Sequence, residues 1–251
     1  MLIRADSEAV LHGLGLFETI LAIDGRAVLA EEHFERLASS ASVLGFPPPA
    51  RAAFDDAIAP LLAGQTGEQA IRCTYIAAEG WQLFASTGPI PPATRSRREL
   101  GRAILLDRSF SRALPQHKLT SYAPCIIALR RAQDAGADEA LFVAADGGIL
   151  EGTSTNVFAV AGDRLGDRLI TAPVSAGILP GVTRTWVLRT ARTLGIDVEE
   201  RVPTLDELHR GSFFTGSLTT IAAIRFIDGA PCDAAAPVMA ALADRWTSVA
   251  L

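Results

Sequence analysis

The sequence predicts a mixed α/β (α+β) protein in two parts, with sheets that are antiparallel or mixed. Three observations carry this. Asp24-Gly25 and Asp146-Gly147-Gly148 each lie between apolar runs, the signature of tight hairpins. Between such runs, apolar residues recur at spacings of three and four, the signature of amphipathic helices. Near 107–118 the periodicity fades, which places a connector there and divides the chain into residues 1–112 and 113–251. Tight hairpins outnumber strand–helix–strand patterns, so the sheets should not be purely parallel.

The elements follow in order. "LFETILAIDGRAVL" reads as a hairpin turning at Asp24-Gly25. In "AEEHFERLASSASVLGF" the residues Phe34, Leu37, Ala41 and Leu44 form an apolar stripe, with Glu31 and Glu32 in the first turn and Gly45 at the end. His33 and Arg36 lie together beside that stripe. After the stop "FPPPA" comes a helix around "FDDAIAPLLAG" and a strand in "QAIRCTYIAAEG"; "GPIPPATRSR" reads as a loop and "GRAILLD" as a strand. "RSFSRALPQHKLTSY" is the connector. "SYAPCIIALRRAQDAGA" is a helix with Ser121 near its start, Pro124 in the first turn and Gly136 after it. "EALFVAADGGILEGTSTNVFAVAG" reads as strand, turn, strand. "PGVTRTWVLRTARTLG" is a helix with Val187, Ala191 and Leu194 facing inward and Gly195 as cap. Thr204 and Glu207 form a capping-box pattern. "SFFTGSLTTIAAIRFIDG" is strand-like around a Gly-Ser turn, and a helix built on Val238, Leu242 and Trp246 closes the chain.

Composition narrows the function. The 251 residues are 49% apolar with mean hydropathy +0.26, enough for a sizeable core. A formal charge of −5 and a pI near 5.4 argue against a nucleic-acid-binding surface. No apolar run is long enough to span a bilayer, and "MLIRADSEAV" lacks a secretory apolar region. Cys73, Cys125 and Cys232 are far apart and odd in number, and read as thiols of a reducing compartment. A soluble cytoplasmic protein is expected. The four histidines show no metal-ligand spacing, so no metal is expected. "GLGLFE" precedes a hairpin rather than opening a helix, which makes it a poor dinucleotide fingerprint. No phosphate-binding G-x-x-x-x-G-K-[ST] and no G-x-S-x-G elbow is present.

One residue stands out for its chemistry. Of 23 lysines and arginines, Lys118 is the single lysine. A GC-rich genome that favours arginine codons explains the bias blandly. Yet a guanidinium cannot be deprotonated to attack a carbonyl, whereas a lysine amine can form a Schiff base. Such a lysine usually means an aldehyde cofactor, of which pyridoxal phosphate is the common one. That cofactor needs a phosphate site, an acid at its ring nitrogen and a partner for its phenolic oxygen. "LPGVTR" opens a helix at Gly181, Val182 and Thr183, where free N–H groups favour an anion; an ordinary helix start has the same pattern. "TGSLTT" is a second donor-rich turn, or a polar hairpin. Arg36 offers a cation, or is a solvated helix charge. Glu151 follows two apolar residues of a strand, where a carboxylate needs a partner unless it points to water.

With these residues in view, the chain resembles the class IV aminotransferases, the fold-type-IV pyridoxal-phosphate enzymes. These include branched-chain and D-amino-acid aminotransferases and aminodeoxychorismate lyase. The resemblance runs through "GLFETI", "EEHFERLASSA", "KLTSY", "ADEALFVAADGGILEGTSTNVF", "GILPGVTR" and "FFTGSLTTI". It implies that Lys118 is the Schiff-base lysine and moves the proton at the substrate Cα. It implies that Tyr122 contacts the phenolic oxygen and that Glu151 partners the ring nitrogen. Arg36, Val182, Thr183 and Ser217 correspond to a phosphate cup, and the amides around Ser217 and Leu218 face the substrate carboxylate. It further implies a smaller N-terminal domain and a larger C-terminal cofactor-binding domain with the cofactor between them, in a homodimer whose partner subunit adds to the pocket. The strand after Arg72, "CTYIAAEG", departs from the usual run ending in Arg-Gly, so no side chain of that strand is assigned to the substrate carboxylate.

Three functions are compatible with this. The favoured one is an aminotransferase acting between an amino acid or amine and a 2-oxo acid. The second is an aminodeoxychorismate lyase releasing pyruvate and 4-aminobenzoate. The third is a catalytically silent paralogue that only binds the cofactor. Dependence on a second oxo-acid substrate separates the first from the second. An intact Lys118 and Glu151 argue against the third.

Overall fold

Strand β1 (Gly15–Ile23) organises the first part of the chain. The computed structural model describes residues 3–161 and 168–250; Gly162, which ends one expected strand run, lies outside them. The chain divides into two compact units. One takes the chain through Ile90, returns for His117–Tyr122 and includes the residues from Val249; the other takes Pro91–Gln116 and Ala123–Ser248.

In the first unit a short helix α1 (Glu8–Leu11) precedes β1. Asp24 and Gly25 both adopt positive φ, 46° and 79°, as a two-residue hairpin turn requires, and lead into the very short β2 (Arg26–Ala27). Helix α2 (Ala30–Val43) carries the expected acidic first turn, and Gly45 follows it at φ 74°. Helix α3 (Arg51–Leu62), β3 (Glu68–Ala78) and β4 (Gly80–Gly88) complete an antiparallel sheet ordered β2-β1-β3-β4. Strand β4 answers to no element expected from the sequence: "WQLFAST" is half-buried along most of its length and has too mixed a pattern to announce itself. Leu16, Ile20, Ile71, Cys73 and Tyr75 line one face of the sheet, and Leu37, Phe54 and Ile58 of α2 and α3 pack with them in one cluster. Alternation puts Phe17 and Thr19 on the opposite face.

The second unit opens with α4 (Pro92–Leu100), a correction to the loop expected there. The three prolines of "GPIPPATRSR" fit a break, but Pro92 stands in the first helical turn, where its missing N–H costs nothing, and Gly101 closes the helix at φ 55°. Then come β5 (Arg102–Leu105), α5 (Ala123–Asp134) and β6 (Glu139–Val143). The run beyond the Asp-Gly-Gly turn is two strands rather than one, β7 (Ile149–Gly152) and β8 (Asn156–Ala161), because Thr153–Thr155 turn the chain back on itself. Strand β9 (Arg168–Thr171), helix α6 (Val182–Thr193) and strand β10 (Asp197–Glu200) follow; the two strands were not foreseen. Val187 and Ala191 of α6 are buried, while Leu194 is half-buried at its C-cap. Helix α7 (Leu205–His209) has both bonds of its capping box. The chain ends with β11 (Ser212–Gly216), β12 (Thr220–Ala223), β13 (Phe226–Ile227), β14 (Ala230–Pro231) and α8 (Ala236–Ala250). Among the described residues these strands form one ten-stranded sheet, parallel at β9/β10, β5/β6 and β5/β13 and antiparallel elsewhere. Val238, Leu242 and Trp246 of α8 are buried, and Trp246 meets Trp186 edge to face at 4.8 Å.

Candidate active site

The lysine segment pairs with β1 as a short extra strand would. Phe17 N donates to the Lys118 carbonyl (2.8 Å), Thr120 N donates to the Gly15 carbonyl (2.9 Å), and Leu16 bridges to Leu119. Gly15 is required here: a Cβ would meet Ile76 at 2.6 Å and the Tyr75 carbonyl at 2.7 Å. This pairing brings Lys118 and Tyr122 to the buried Phe17 ring, and β3 brings Arg72. Lys118 Nζ stands 4.4 Å from the ring centroid, Tyr122 meets the ring edge to face at 5.1 Å, and the Arg72 guanidinium stacks over it at 3.3 Å. Lys118 Nζ is also 5.3 Å from the Tyr122 ring centroid. Lys118 and Tyr122, both expected site residues, are therefore brought together, and Arg72 joins them.

The opposite face of β1 holds a charged cluster inside the core. Arg36 donates Nε to Glu18 Oε1 (2.8 Å) and Nη2 to Oε2 (2.6 Å), and His33 Nδ1–H donates to Oε2 at 2.7 Å. Burial penalises the Glu18 carboxylate, but Arg36 and His33 outweigh it and hold its pKa at about 2. Burial pushes the His33 pKa down against the pull of Glu18, which leaves the ring neutral at pH 7. Arg36 was expected to serve a phosphate; one edge of its fork is committed to Glu18. Glu18 was missed as a site residue because it occupies an inward position of an otherwise apolar strand, and only the tertiary pairing shows its partners.

In the second unit Glu151 is buried and hydrogen-bonded. Its Oε2 accepts from Asn156 Nδ2 (3.2 Å) and from the Leu179 amide (3.0 Å), and Arg112 donates to Oε1. Asn156 Nδ2 also donates to the Leu179 carbonyl at 3.0 Å. The sequence expectation that this carboxylate needs a partner is met, with the partners supplied by the connector and by the approach to α6. Neither Arg112 nor Asn156 carried a signal before the fold was known.

The start of α6 has the features of an anion site. Gly181 caps it without a side-chain hydrogen bond, so the first-turn amides, including those of Val182 and Thr183, have no partner within the helix. The buried Thr183 hydroxyl makes no hydrogen bond. Gly181 itself is obligatory, since a Cβ would fall 2.0 Å from Asn156 Oδ1. Directly opposite Asn156 on β11 lies Thr215, whose buried hydroxyl is likewise without a partner. Beyond it Ser217 and Leu218 form the turn into β12, and Arg98 holds the Leu218 carbonyl (2.8 Å). An uncapped helix start with orphaned hydroxyls, beside a buried carboxylate, fits a ligand that has both an anionic group and a basic nitrogen. Among the described residues no cluster of His, Cys, Asp or Glu is placed to hold a metal ion, and no helix is long and apolar enough to cross a membrane.

Comparison with known proteins decides the family. The model of amino-transferase class IV matches residues 15–227. The chain belongs to this family. It is an enzyme family, and the fold expected from the resemblance is the one observed. A bifunctional aminodeoxychorismate lyase / D-amino acid transaminase from Mycobacterium tuberculosis is 34% identical over 250 residues, spanning 91% of this class IV amino-transferase and 86% of the relative. A hypothetical aminotransferase from Mycobacterium tuberculosis in its PLP-bound form aligns with a TM-score of 0.85 at 30% identity, covering 100% of this chain and 93% of the other. Its alpha-ketoglutarate- and PMP-bound form aligns with a TM-score of 0.82 at 30% identity, covering 100% and 92%.

Proposed function

We propose that this class IV amino-transferase moves an amino group between an amino acid or amine and a 2-oxo acid, using pyridoxal phosphate held by Lys118. The observation that carries this is the placement of the chain's single lysine on Phe17, with Tyr122 and Arg72 on the same ring. When bound, the cofactor supplies an aldehyde that takes up the amino group and a ring that accepts the electron pair left at Cα. Lys118 Nζ would hold the aldehyde carbon and, once freed by the incoming amine, would take the proton from the substrate Cα and deliver it to that former aldehyde carbon. Tyr122 donates to the phenolic oxygen. Glu151 holds a proton at the ring nitrogen, and Asn156 and the Leu179 amide fix its carboxylate. The amides of Val182 and Thr183, the Thr183 hydroxyl, Ser217 and Arg36 would hold the phosphate. The amides around Ser217 and Leu218 take the substrate carboxylate, and Arg72 is a second cation on the lysine side of the site.

The related enzymes bound to PLP and PMP support this choice of cofactor, and the amino/oxo-acid chemistry follows from the family. A homodimer is part of the reading; sedimentation equilibrium giving a monomer mass at micromolar concentration would rule it out. The free thiols of Cys73 and Cys125, buried among the described residues, support a reducing, cytoplasmic setting.

The deciding experiment is an absorption spectrum of the protein with pyridoxal phosphate, followed by a panel of D- and L-amino acids. Appearance of the lysine-bound band, and its conversion by an amino acid to the pyridoxamine form, establishes the aminotransferase and its substrate class. A band that no amino acid converts moves the lyase ahead, to be tried with aminodeoxychorismate. No turnover with either leaves the silent paralogue.

A further inference from the structure

Helix α4 carries two adjacent arginines that grip two functional turns from behind. Arg97 is buried, only 2% exposed. Its Nη1 donates to Ser154 Oγ (3.0 Å) and to Thr219 Oγ1 (3.1 Å), and its Nη2 donates to the Asp138 carbonyl (2.8 Å). Nη2 also lies 3.3 Å from Oε2 of Glu139, which is wholly buried. The Glu139 carboxylate accepts from the Thr153 amide and hydroxyl, the Ser154 amide (3.3 Å) and hydroxyl (3.1 Å), and the Thr155 hydroxyl (3.0 Å). Gly152 makes room for this, since a Cβ would sit 2.2 Å from Thr155 Oγ1 and 2.9 Å from Glu139 Cδ. The next residue, Arg98, donates Nε and Nη2 to one carbonyl, that of Leu218. The Thr153–Thr155 turn joins Glu151 to Asn156, and the turn 217–219 holds Ser217 and Leu218.

Buried ion pairs contribute little net stability, because desolvation offsets the attraction. A buried pair that collects the donors of a whole turn instead fixes a conformation. We propose that Arg97, Arg98 and Glu139 are positioning residues. The Arg97–Glu139 pair locks the 153–155 turn to Thr219, and Arg98 pins the Leu218 carbonyl, so that the amides of the 217–218 turn keep one orientation toward the anion they bind. The Leu218 carbonyl shares its peptide plane with the Thr219 N–H, so pinning that oxygen fixes this amide and limits the rotation about Leu218 that would swing the preceding amides away. This rests on the reading that Ser217 and Leu218 face the cofactor phosphate and the substrate carboxylate.

Arg97 variants can fail to fold, so the test uses Arg98, which is only partly buried. Arg98→Ala and Arg98→Lys are compared with the unaltered protein in three measurements. Amide exchange of the 216–220 segment is followed in cofactor-free protein, the Kd for pyridoxal phosphate by titration, and KM and kcat for the oxo acid in the loaded enzyme. Arg98→Ala should speed exchange there about tenfold, and raise Kd or KM about tenfold with kcat little changed. Arg98→Lys, which keeps one donor, should recover part of both, and Tm should stay within a few degrees. Unchanged exchange, or faster exchange with unchanged Kd and KM, overturns the proposal. So does a loss that follows Tm and is not relieved by lysine. Failure of the unaltered protein to attach pyridoxal phosphate at all would instead remove the proposed function, and this inference with it.

Discussion

Lys118 is the residue on which the proposed chemistry turns, and its case rests first on covalent reactivity. Lys118→Ala should abolish both the lysine-bound absorption band and turnover, while far-UV circular dichroism stays native. Full turnover in that variant would remove Lys118 from the mechanism. Thr183 gives a sharper signal. Its hydroxyl is buried and unpaired, so Thr183→Val should leave the cofactor-free protein as stable as before or slightly more so. The same change should weaken pyridoxal phosphate binding about tenfold, the value of a hydrogen bond to a charged group at about 1.5 kcal/mol or more. An unchanged Kd would show that the hydroxyl faces no anion. As candidates, Lys118 and Glu151 were legible in the sequence because each is chemically out of place in its surroundings, and Thr183 because it stands at a helix start. Glu18, Arg72, Arg112 and Asn156 were not, because their partners lie far away in sequence.

Helices and turns place those residues, and glycines show where the fit is tight. Gly101 ends α4 at positive φ, and a Cβ there would lie 1.9 Å from the Ala223 carbonyl oxygen. Gly101→Ala should cost about 3 kcal/mol from strain and overpacking together, and lower the urea midpoint accordingly. A midpoint within error of the unaltered protein would show that the backbone there relaxes freely. Helix α4 also shows why one element was misread. Proline is a breaker by local rule, yet a tolerated start by position, and the sequence pattern does not choose between the two. What secures α4 is Arg97, whose partners Asp138, Ser154 and Thr219 come from distant segments. Strand β4 escaped notice for a related reason. Its half-buried residues lack clean alternation, and it is a strand because β3 supplies a continuous ladder from Ala70↔Gly88 to Ala78↔Gly80.

Acid stability tests the charge arrangement of the whole molecule. His33 has a pKa pushed below its ordinary 6.5 in the folded state, so the stability it contributes is complete above 6.5 and is lost as pH falls. His117, also lowered by burial, adds a smaller share in the same direction. Glu18 is held at about 2 against an ordinary 4.5, so its contribution is full above 4.5 and declines as pH falls toward 2. Tm should therefore decline in two limbs, the first beginning below about pH 6.5 and the second below about 4.5. His33→Gln should flatten the first limb and, because His33 also helps to hold Glu18 down, make the second shallower. A Tm constant from pH 7 to pH 5 in the unaltered protein would contradict a buried neutral His33. Residue order alone was enough to establish the helices with clean apolar stripes, the hairpin turns, the family and the single lysine. Those properties live in local pattern and in the reactivity of single side chains. The folded chain settled which buried charges face each other, that a proline-led segment is a helix, and that Arg72 shares a ring with Lys118. Such facts depend on segments far apart in sequence coming within a few ångströms, where desolvation and hydrogen-bond geometry, rather than local propensity, select the arrangement.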